Sequence, residues 1–447
     1  MTARRKIRIG NFLFEREGKY DPSSEIIAGL KRIDKIDFSG RFHIVKKPSK
    51  TNMILICPND LVISGINVSK GALGIYSGQE DLCATIHYSS YTFDTSQIDI
   101  EYFKRFLKSS VFVRLIQDQV KGGIKTEIKP KHLLSVEMDL PNIDEQRVVV
   151  SRFENVETED YELKNELNNR SILLAEIRQQ IRMDAITGKL SAKWRSQKRE
   201  TEPAGEILAR IAAEKSKLIE NKIIKAQKPV APVNEKEISF ELPSGWNWCR
   251  LNDLIYENPR NGYSPRTVAI VTGTKTLKLG ATTTGKFDRT KLKYVDEFIP
   301  EDSFLWLKKR DILIQRGNSI DFVGVSAVYE GEDSEFIYPD LMMKLKPALG
   351  ISEIYLHHVL MSPMCRKYFR DNATGSQKSM PKINQAVVSN TLIPICSTHE
   401  QLEIVSIIKR LFRICDQIDK CLEDDQTHAQ QFMPTVLSEA FFKTEVD

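Results

Sequence analysis

The chain has 447 residues, 41% hydrophobic and 28% charged, with a net charge of +5; it is too long for one ordinary core and apolar enough to build two or more, which excludes a wholly disordered chain. Its apolar runs, such as Met53 to Cys57, fall far below the roughly 18 residues of a membrane span, and the basic start, Met-Thr-Ala-Arg-Arg-Lys-Ile-Arg, lacks the apolar stretch of a secretory signal. A cytoplasmic protein is expected, and the seven scattered cysteines, with no Cys-x-x-Cys pair, read as reduced and structural.

Residues 1–144 read as a mixed α and β unit. Short apolar runs such as Leu61 to Ile63, set between Gly, Asn, Asp and Pro, predict strands and turns, and the stretch from Ile100 to Ile116 predicts a helix. A long helix follows over 145–190, opening at Glu145-Gln146 after the strand end Asp139-Leu140-Pro141. Residues 191–241 read as a linker: Pro203-Ala-Gly-Glu opens a charged helix to about Lys225, and Pro229 and Pro232 lead a polar run into Leu242-Pro243. The second mixed unit, 242–399, has strand-like runs at Ile312 to Ile314 and Gly324 to Val328 and a helix-like stretch from Ser352 to Phe369. A second long helix over 400–445 opens at Glu400-Gln401 after Leu392-Ile393-Pro394.

Charge follows this division. Residues 1–140 hold 22 Lys and Arg against 16 Asp and Glu, and residues 243–393 hold 20 against 16. Residues 145–190 hold 7 against 9, and residues 400–447 hold 5 against 10. Two basic blocks, each followed by an acidic one, suit globular parts that touch phosphates and helices that do not.

The two halves are copies. An offset of 255, from Glu145 to Glu400, carried without a gap matches Val149 with Ile404, Phe153 with Ile408, Val156 with Leu411, Leu163 with Ile418, Leu167 with Leu422, Ile177 with Phe432, Ile181 with Val436 and Ala185 with Ala440. These positions alternate by four and three residues, the heptad spacing of an apolar seam. Upstream, Asn59-Asp60-Leu61-Val62-Ile63 resembles Arg310-Asp311-Ile312-Leu313-Ile314, Gly74-Ile75 resembles Gly324-Val325, and Tyr102-Phe103 resembles Tyr355-Leu356. Lys121-Gly122-Gly123 resembles Thr374-Gly375-Ser376, and Arg8-Ile9 matches Arg250-Leu251. The fold class is therefore α+β, a globular unit and a long helix written twice. Each seam has its own duplicate as the nearest cover, which implies an antiparallel coiled-coil pair about a pseudo-twofold axis, with the two globular units at opposite ends. A helix of about 46 residues at 1.5 Å per residue is about 70 Å long. Arg170 and Asp425 are repeat equivalents at otherwise apolar positions, so they are expected to face each other and set the register.

At this point the sequence resembles the specificity subunits of type I restriction-modification systems. Leu242-Pro-Ser-Gly-Trp-Asn-Trp-Cys-Arg-Leu is similar to the opening of their target-recognition domains, and Pro141-Asn-Ile-Asp-Glu145-Gln146 and Pro394-Ile-Cys-Ser-Thr-His-Glu400-Gln401 are similar to the Pro-x-x-x-x-Glu-Gln start of their helical regions, one residue shorter and one longer. Ala185-Ile-Thr-Gly188-Lys189-Leu190 with Lys193-Trp194-Arg195, Arg310-Asp-Ile-Leu to Phe322-Val-Gly324, and Tyr338-Pro339-Asp340 also match. The first unit lacks the Leu-Pro-x-Gly-Trp opening, and the second helix ends Ala440-Phe441-Phe442 without the Gly-Lys-Leu exit. The resemblance covers nearly the whole chain in order. It implies target-recognition domains at 1–144 and 242–399, each reading one half of a split double-stranded DNA site, and a non-catalytic subunit that joins two methyltransferase (modification) subunits and two restriction/translocase subunits. S-adenosylmethionine, ATP and magnesium would then serve those partners, and no cofactor is expected on this chain.

The catalytic motifs agree with that expectation. Asn258-Pro259-Arg260-Asn261 lacks the second proline and the aromatic of an adenine methyltransferase loop. Gly280-Ala-Thr-Thr-Thr-Gly285-Lys286 has phosphate-loop spacing, yet Phe287 stands where Ser or Thr is needed and no helix pattern follows, so it reads as a turn between strands. Pro339-Asp340 has no second acid downstream to hold a nuclease metal, and the neighbours His357 and His358 lack the spacing of a metal site. For DNA, Gly-rich basic loops offer close backbone approach and charge together. The candidates are Lys121, Gly122, Gly123, Lys125, Lys129 and Lys131 in the first unit, and Thr374, Gly375, Ser376, Gln377, Lys378 and Lys382 in the second. Arg316, Asn318 and Ser319, with Asn67, Ser69 and Lys70 at the rough equivalent, complete the set. Two other readings stay open: the specificity subunit of another methylation-based phage-defence system, and a non-enzymatic DNA-binding coiled-coil scaffold.

Overall fold

The structure, a computed structural model, describes residues 5–37, 39–46, 51–65, 72–119, 130–197, 202–375 and 380–442. The chain forms two compact units: residues 1–170 with 421–447, and residues 171–420. Each takes one globular domain and a part of each long helix, Ile143–Ile186 and Thr398–Phe442. Among the described residues no helix is long and apolar enough to cross a membrane.

In the first unit Arg5–Arg8 pairs antiparallel with Glu137–Leu140. One four-stranded sheet runs in the order Leu13–Glu15, Tyr88–Phe93, Leu61–Ser64, Leu73–Ile75, and a second in the order Phe42–Val45, Lys31–Ile36, Leu82–Thr85, Met53–Ile56. The run Leu61-Val62-Ile63 is apolar throughout because both of its faces are covered. Successive side chains point to opposite sides of a strand. Leu61 and Ile63 therefore enter a core with Phe12, Phe103 and Phe106, while Val62 enters another with Ile33, Ile56 and Ala84.

The second unit repeats the plan. Asn247–Arg250 pairs with Leu392–Ile395, and a four-stranded sheet runs Arg260–Asn261, Met342–Leu345, Ile312–Gln315, Ser326–Val328. A three-stranded sheet runs Thr267–Val268, Leu292–Val295, Thr274–Leu277. The correspondence reaches single residues. Asn59 and Arg310 both adopt positive φ, 69° and 73°, without being glycine. The next residue in each copy is a buried aspartate that accepts a backbone N–H three residues back, Asp60 from Cys57 at 2.9 Å and Asp311 from Lys308 at 2.8 Å. Each carboxylate has a cation, Arg16 at 2.7 Å on Asp60 and Lys344 at 3.6 Å on Asp311. One match made on the sequence slips by three residues. The sheet opposes Leu61 to Ile75 and Ile312 to Val328, so Gly74 corresponds to Ala327 rather than Gly324. Gly324 lies before its strand at φ 78°, where a Cβ would strike the Phe369 ring; its similarity to Gly74 is of composition only.

Each long helix buries one row spaced by seven along its length and further apolar positions only near its ends. Gln146, Phe153, Asp160, Leu167, Leu174 and Ile181 are buried on the first, and Gln401, Ile408, Cys415, Leu422 and Ala429 on the second. Val149, Val156, Leu411 and Val436 are half-buried, and Ile404 and Ala185 are buried. The other seam positions read from the sequence face outward: Leu163, Ile177, Ile418 and Phe432 are 41–51% exposed. The alternating reading assumed two covered rows, and a scan for apolar residues gives no weight to Asp160 or to small Ala429. In the first unit Phe441 stacks on Phe153 at 6.1 Å and meets Tyr102 and Phe106 edge-on. In the second, Arg182 lies over Phe412 at 4.9 Å and Arg178 reaches Asp416 and Asp419 at 2.7 Å each, so the segments run in opposite directions. The expected register pair is not made. Arg170, over half exposed, pairs with Glu166 on its own helix at 2.9 Å, and Asp425 is exposed.

The segment between the first helix and the second domain is bound, not loose. Its helix, Ala204–Glu220, buries Ala204, Ile207 and Ile211, and Lys215 donates to the Asn252 carbonyl at 2.6 Å. Arg250 donates to the carbonyls of Ala231 and Pro232 and to Glu237.

Candidate nucleic-acid interface

Strand Ile312–Gln315 runs out into the loop Arg316-Gly317-Asn318-Ser319. Buried Gln315 shapes it: its amide donates to the Leu279 carbonyl and to the Thr282 hydroxyl at 3.0 Å, and its oxygen accepts from the Asn318 amide at 2.6 Å. The backbone N–H of Arg316 donates to Leu341 O at 2.8 Å, and Arg316 O accepts from Ile383 N–H at 2.9 Å. Asn318 N–H donates to Pro381 O at 3.4 Å, and Thr374 and Lys382 exchange two backbone bonds of 2.9 Å. Gly317 permits this closeness, since a Cβ there would stand 3.1 Å from both Leu341 and Lys382. Two loops selected separately from the sequence, some sixty residues apart, thus form one surface carrying Arg316, Asn318, Thr374, Gly375 and exposed Lys382, with Ser319 exposed beside them.

Arg316 is half-buried, with Nε buried and without a hydrogen-bond partner; Asn318 is held by Gln315 and by Ser319 N–H, and Thr374 Oγ1 donates to Lys382 O at 3.3 Å. Behind this surface, Arg366 from the helix Pro363–Asp371 donates to the carbonyls of Val323 and Asp321, clamping the far side of the loop. Burial pulls the Arg366 pKa down to about 10, still charged at neutral pH. Sequence reading missed Arg366 and Gln315, which support the loop from beneath and carry no motif.

Several candidates fall elsewhere. Ser376, Gln377 and Lys378, and Asn67, Ser69, Lys70, Lys121, Gly122, Gly123, Lys125 and Lys129 of the first unit, lie outside the described residues; Lys131 falls in the short helix Pro130–Leu134. The phosphate-loop lookalike is a single 3-10 turn, Leu279–Ala281, between two strands, and Gly285 N–H is used by Thr282 O. Asp340 accepts from Ser264 at 2.5 Å, and the described residues hold no cluster of three metal-ligating groups.

No protein-family model matches the chain. The specificity subunit of the type I restriction enzyme EcoEI from Escherichia coli is 30% identical over 256 residues, 56% of this chain and 42% of that protein. Its EcoAI counterpart, also from Escherichia coli, is 29% identical over 248 residues, 54% and 40%. The EcoKI specificity subunit of Escherichia coli K12 is 21% identical over 406 residues, 89% and 76%. A solved structure described as the structural basis of complex assembly and conformational transition of the type I R-M system superposes with a TM-score of 0.61 at 13% identity, covering 98% of this chain and 97% of that one. The HsdS subunit from Thermoanaerobacter tengcongensis gives 0.51 at 12%, covering 98% and 96%. The chain is similar to type I restriction specificity subunits. It spans about two-fifths of the length of the first two relatives, and the solved structures share its fold.

The motifs that resemble specificity subunits are joints of this fold. Gln146 accepts from Asp99 N–H at 2.8 Å and donates to the carbonyls of Gln97 and Pro141; Gln401 accepts from Ser352 N–H at 2.9 Å and donates to those of Gly350 and Cys396. Each glutamine ties the start of its long helix to the start of its domain's shorter helix. Buried Glu400 accepts from Arg195, from Ser191 at 2.7 Å and from Trp246 Nε1 at 3.0 Å. The Glu-Gln, Gly-Lys-Leu and Leu-Pro-x-Gly-Trp motifs of the specificity-subunit pattern therefore meet at one carboxylate.

Proposed function

We propose that the chain is the DNA-recognition subunit of a type I restriction-modification assembly. It carries no chemistry of its own and gives two modification and two restriction/translocase subunits a common address on the duplex. Each globular domain reads half of a bipartite site. Methyl transfer from S-adenosylmethionine and ATP- and magnesium-dependent translocation belong to the partners.

The observation that carries this reading is the joined surface of Arg316, Asn318, Thr374 and Lys382. A forked cation and an amide are the groups that read base edges, and a lysine and a hydroxyl beside them suit phosphates. For protein partners, the outward rows of the long helices supply apolar surface, and an open groove of about 400 Å³ lined by Ile172, Ala175, Met183 and Pro363 lies on the second unit. Methylome sequencing of cells with and without this gene tests the proposal. A bipartite methylated-adenine motif present only with the gene is expected, and an unchanged methylome rejects it.

A further inference from the structure

The three-stranded sheet of the second unit ends in an apolar tip. The connection between Thr267–Val268 and Thr274–Leu277 exposes 76% of Ile270 and 73% of Val271, and Phe298, just past Leu292–Val295, is 84% exposed. Thr272 Oγ1 donates to Val295 O at 2.7 Å and Thr274 Oγ1 to Glu297 O at 3.4 Å, holding the two segments side by side. Single exposed apolar residues need no explanation, but three so bare on adjacent segments do.

The tip is continuous with the candidate interface through hydrogen bonds. Arg316 and Gly317 donate from the backbone to Leu341 O, and Asp340 beside it accepts from Ser264 Oγ. Tyr263, one residue back, donates its backbone N–H to Tyr338 O and its hydroxyl to Glu297 at 3.2 Å, and Glu297 adjoins Phe298. Gly262 makes the approach possible, since a Cβ there would overlap the carbonyls of Tyr338 and Pro339. The Tyr338-Pro339-Asp340 motif is thus the bridge from the cationic loop to the tip. Asp340 and Glu297 on this edge accept from hydroxyls, Asp296, Glu301 and Asp302 near Phe298 are exposed, and so is Arg266.

We propose that Ile270, Val271 and Phe298 form an apolar contact to the bases of the same DNA duplex that Arg316 and Lys382 hold. The inference rests on the reading of this domain as a DNA reader. Lys382 anchors the backbone, and apolar side chains pressed against base edges or a base step give a contact that ions do not screen. The two kinds of group then separate by salt dependence, because only phosphate neutralisation releases counterions.

The test uses the full chain with whatever subunits copurify, and a duplex enriched by the wild type from a randomised duplex library. Phe298→Ser and the double change Ile270→Ser with Val271→Ser are expected to weaken binding to that duplex roughly tenfold, with the slope of affinity against salt unchanged and random duplex bound nearly as before. Lys382→Ala should lower the slope by about one, and Arg316→Ala should weaken binding to the enriched duplex more than to random duplex. If the tip variants bind like wild type while the cation variants weaken, the tip contact is overturned and the DNA reading stands. If neither set changes binding, the DNA reading of this surface falls and the tip contact with it. Loss of a copurifying protein without loss of duplex affinity would make the tip a protein contact and overturn the proposal.

Discussion

Glu400 gathers donors from residues 191, 195 and 246, so its loss leaves a buried indole N–H and a half-enclosed guanidinium without their acceptor. Glu400→Ala should lower the stability of the second unit by about 3 kcal/mol, read as a shift of the urea midpoint; an unmoved midpoint contradicts the joint. The sequence exposed the Glu-Gln pair as a motif but not its role, because three of its partners lie outside its own helix. His357 and His358 make a second case. They pack, tilted against each other and with His358 edge-on to Phe412, in a buried cluster with Arg182, and His357 Nδ1 bonds the Ser326 hydroxyl at 3.1 Å. Burial, then the nearby Arg182 charge, pulls the His357 pKa down to about 3, and burial likewise lowers His358. Both are neutral when folded and protonate in the unfolded chain below about 6.5. Their contribution is therefore complete above that pH and is lost as pH falls from about 6.5 toward 3. Between pH 6.5 and 5, where carboxylates change little, stability should fall, and His357→Gln should flatten the curve measured by denaturant titration.

The long helices show how far periodicity carries. A heptad repeat predicts helices with an apolar row, and 143–186 and 398–442 are helical. Which row is covered depends on what lies opposite, which no local pattern contains. Leu167→Ala, Leu174→Ala and Leu422→Ala should each cost about 2–4 kcal/mol, whereas Leu163→Ala, Ile177→Ala, Ile418→Ala and Phe432→Ala should cost about 0.5 kcal/mol or less. Chemical denaturation of the series checks this, and a large loss at Leu163 or Phe432 would restore the two-row seam. The buried Asp160 departs from an apolar seam: one oxygen bonds Lys164 at 2.6 Å, and the other has no hydrogen-bond partner. It is the position an apolar scan passes over.

At the scale of the molecule, the two domains share one plan, and the proposed function, in which each reads half of the site, makes that division measurable. Substituting Arg316 and Asn318 together should alter one half of the methylated motif and spare the other, as methylome sequencing would show. A change in both halves, or in neither, contradicts separate readers. The sequence by itself determined the duplication, the strands, the long helices and the basic-then-acidic order, because these rest on period, turn chemistry and charge within a few residues of each position. Only the tertiary structure decided which helix rows are covered, that the loops at 316 and 374 share a surface, and that one carboxylate joins three motifs. Those depend on hydrogen bonds and packing between residues more than two hundred positions apart, such as Ser191 and Glu400, 209 apart, and a contact across that distance leaves no periodic trace in the chain that makes it.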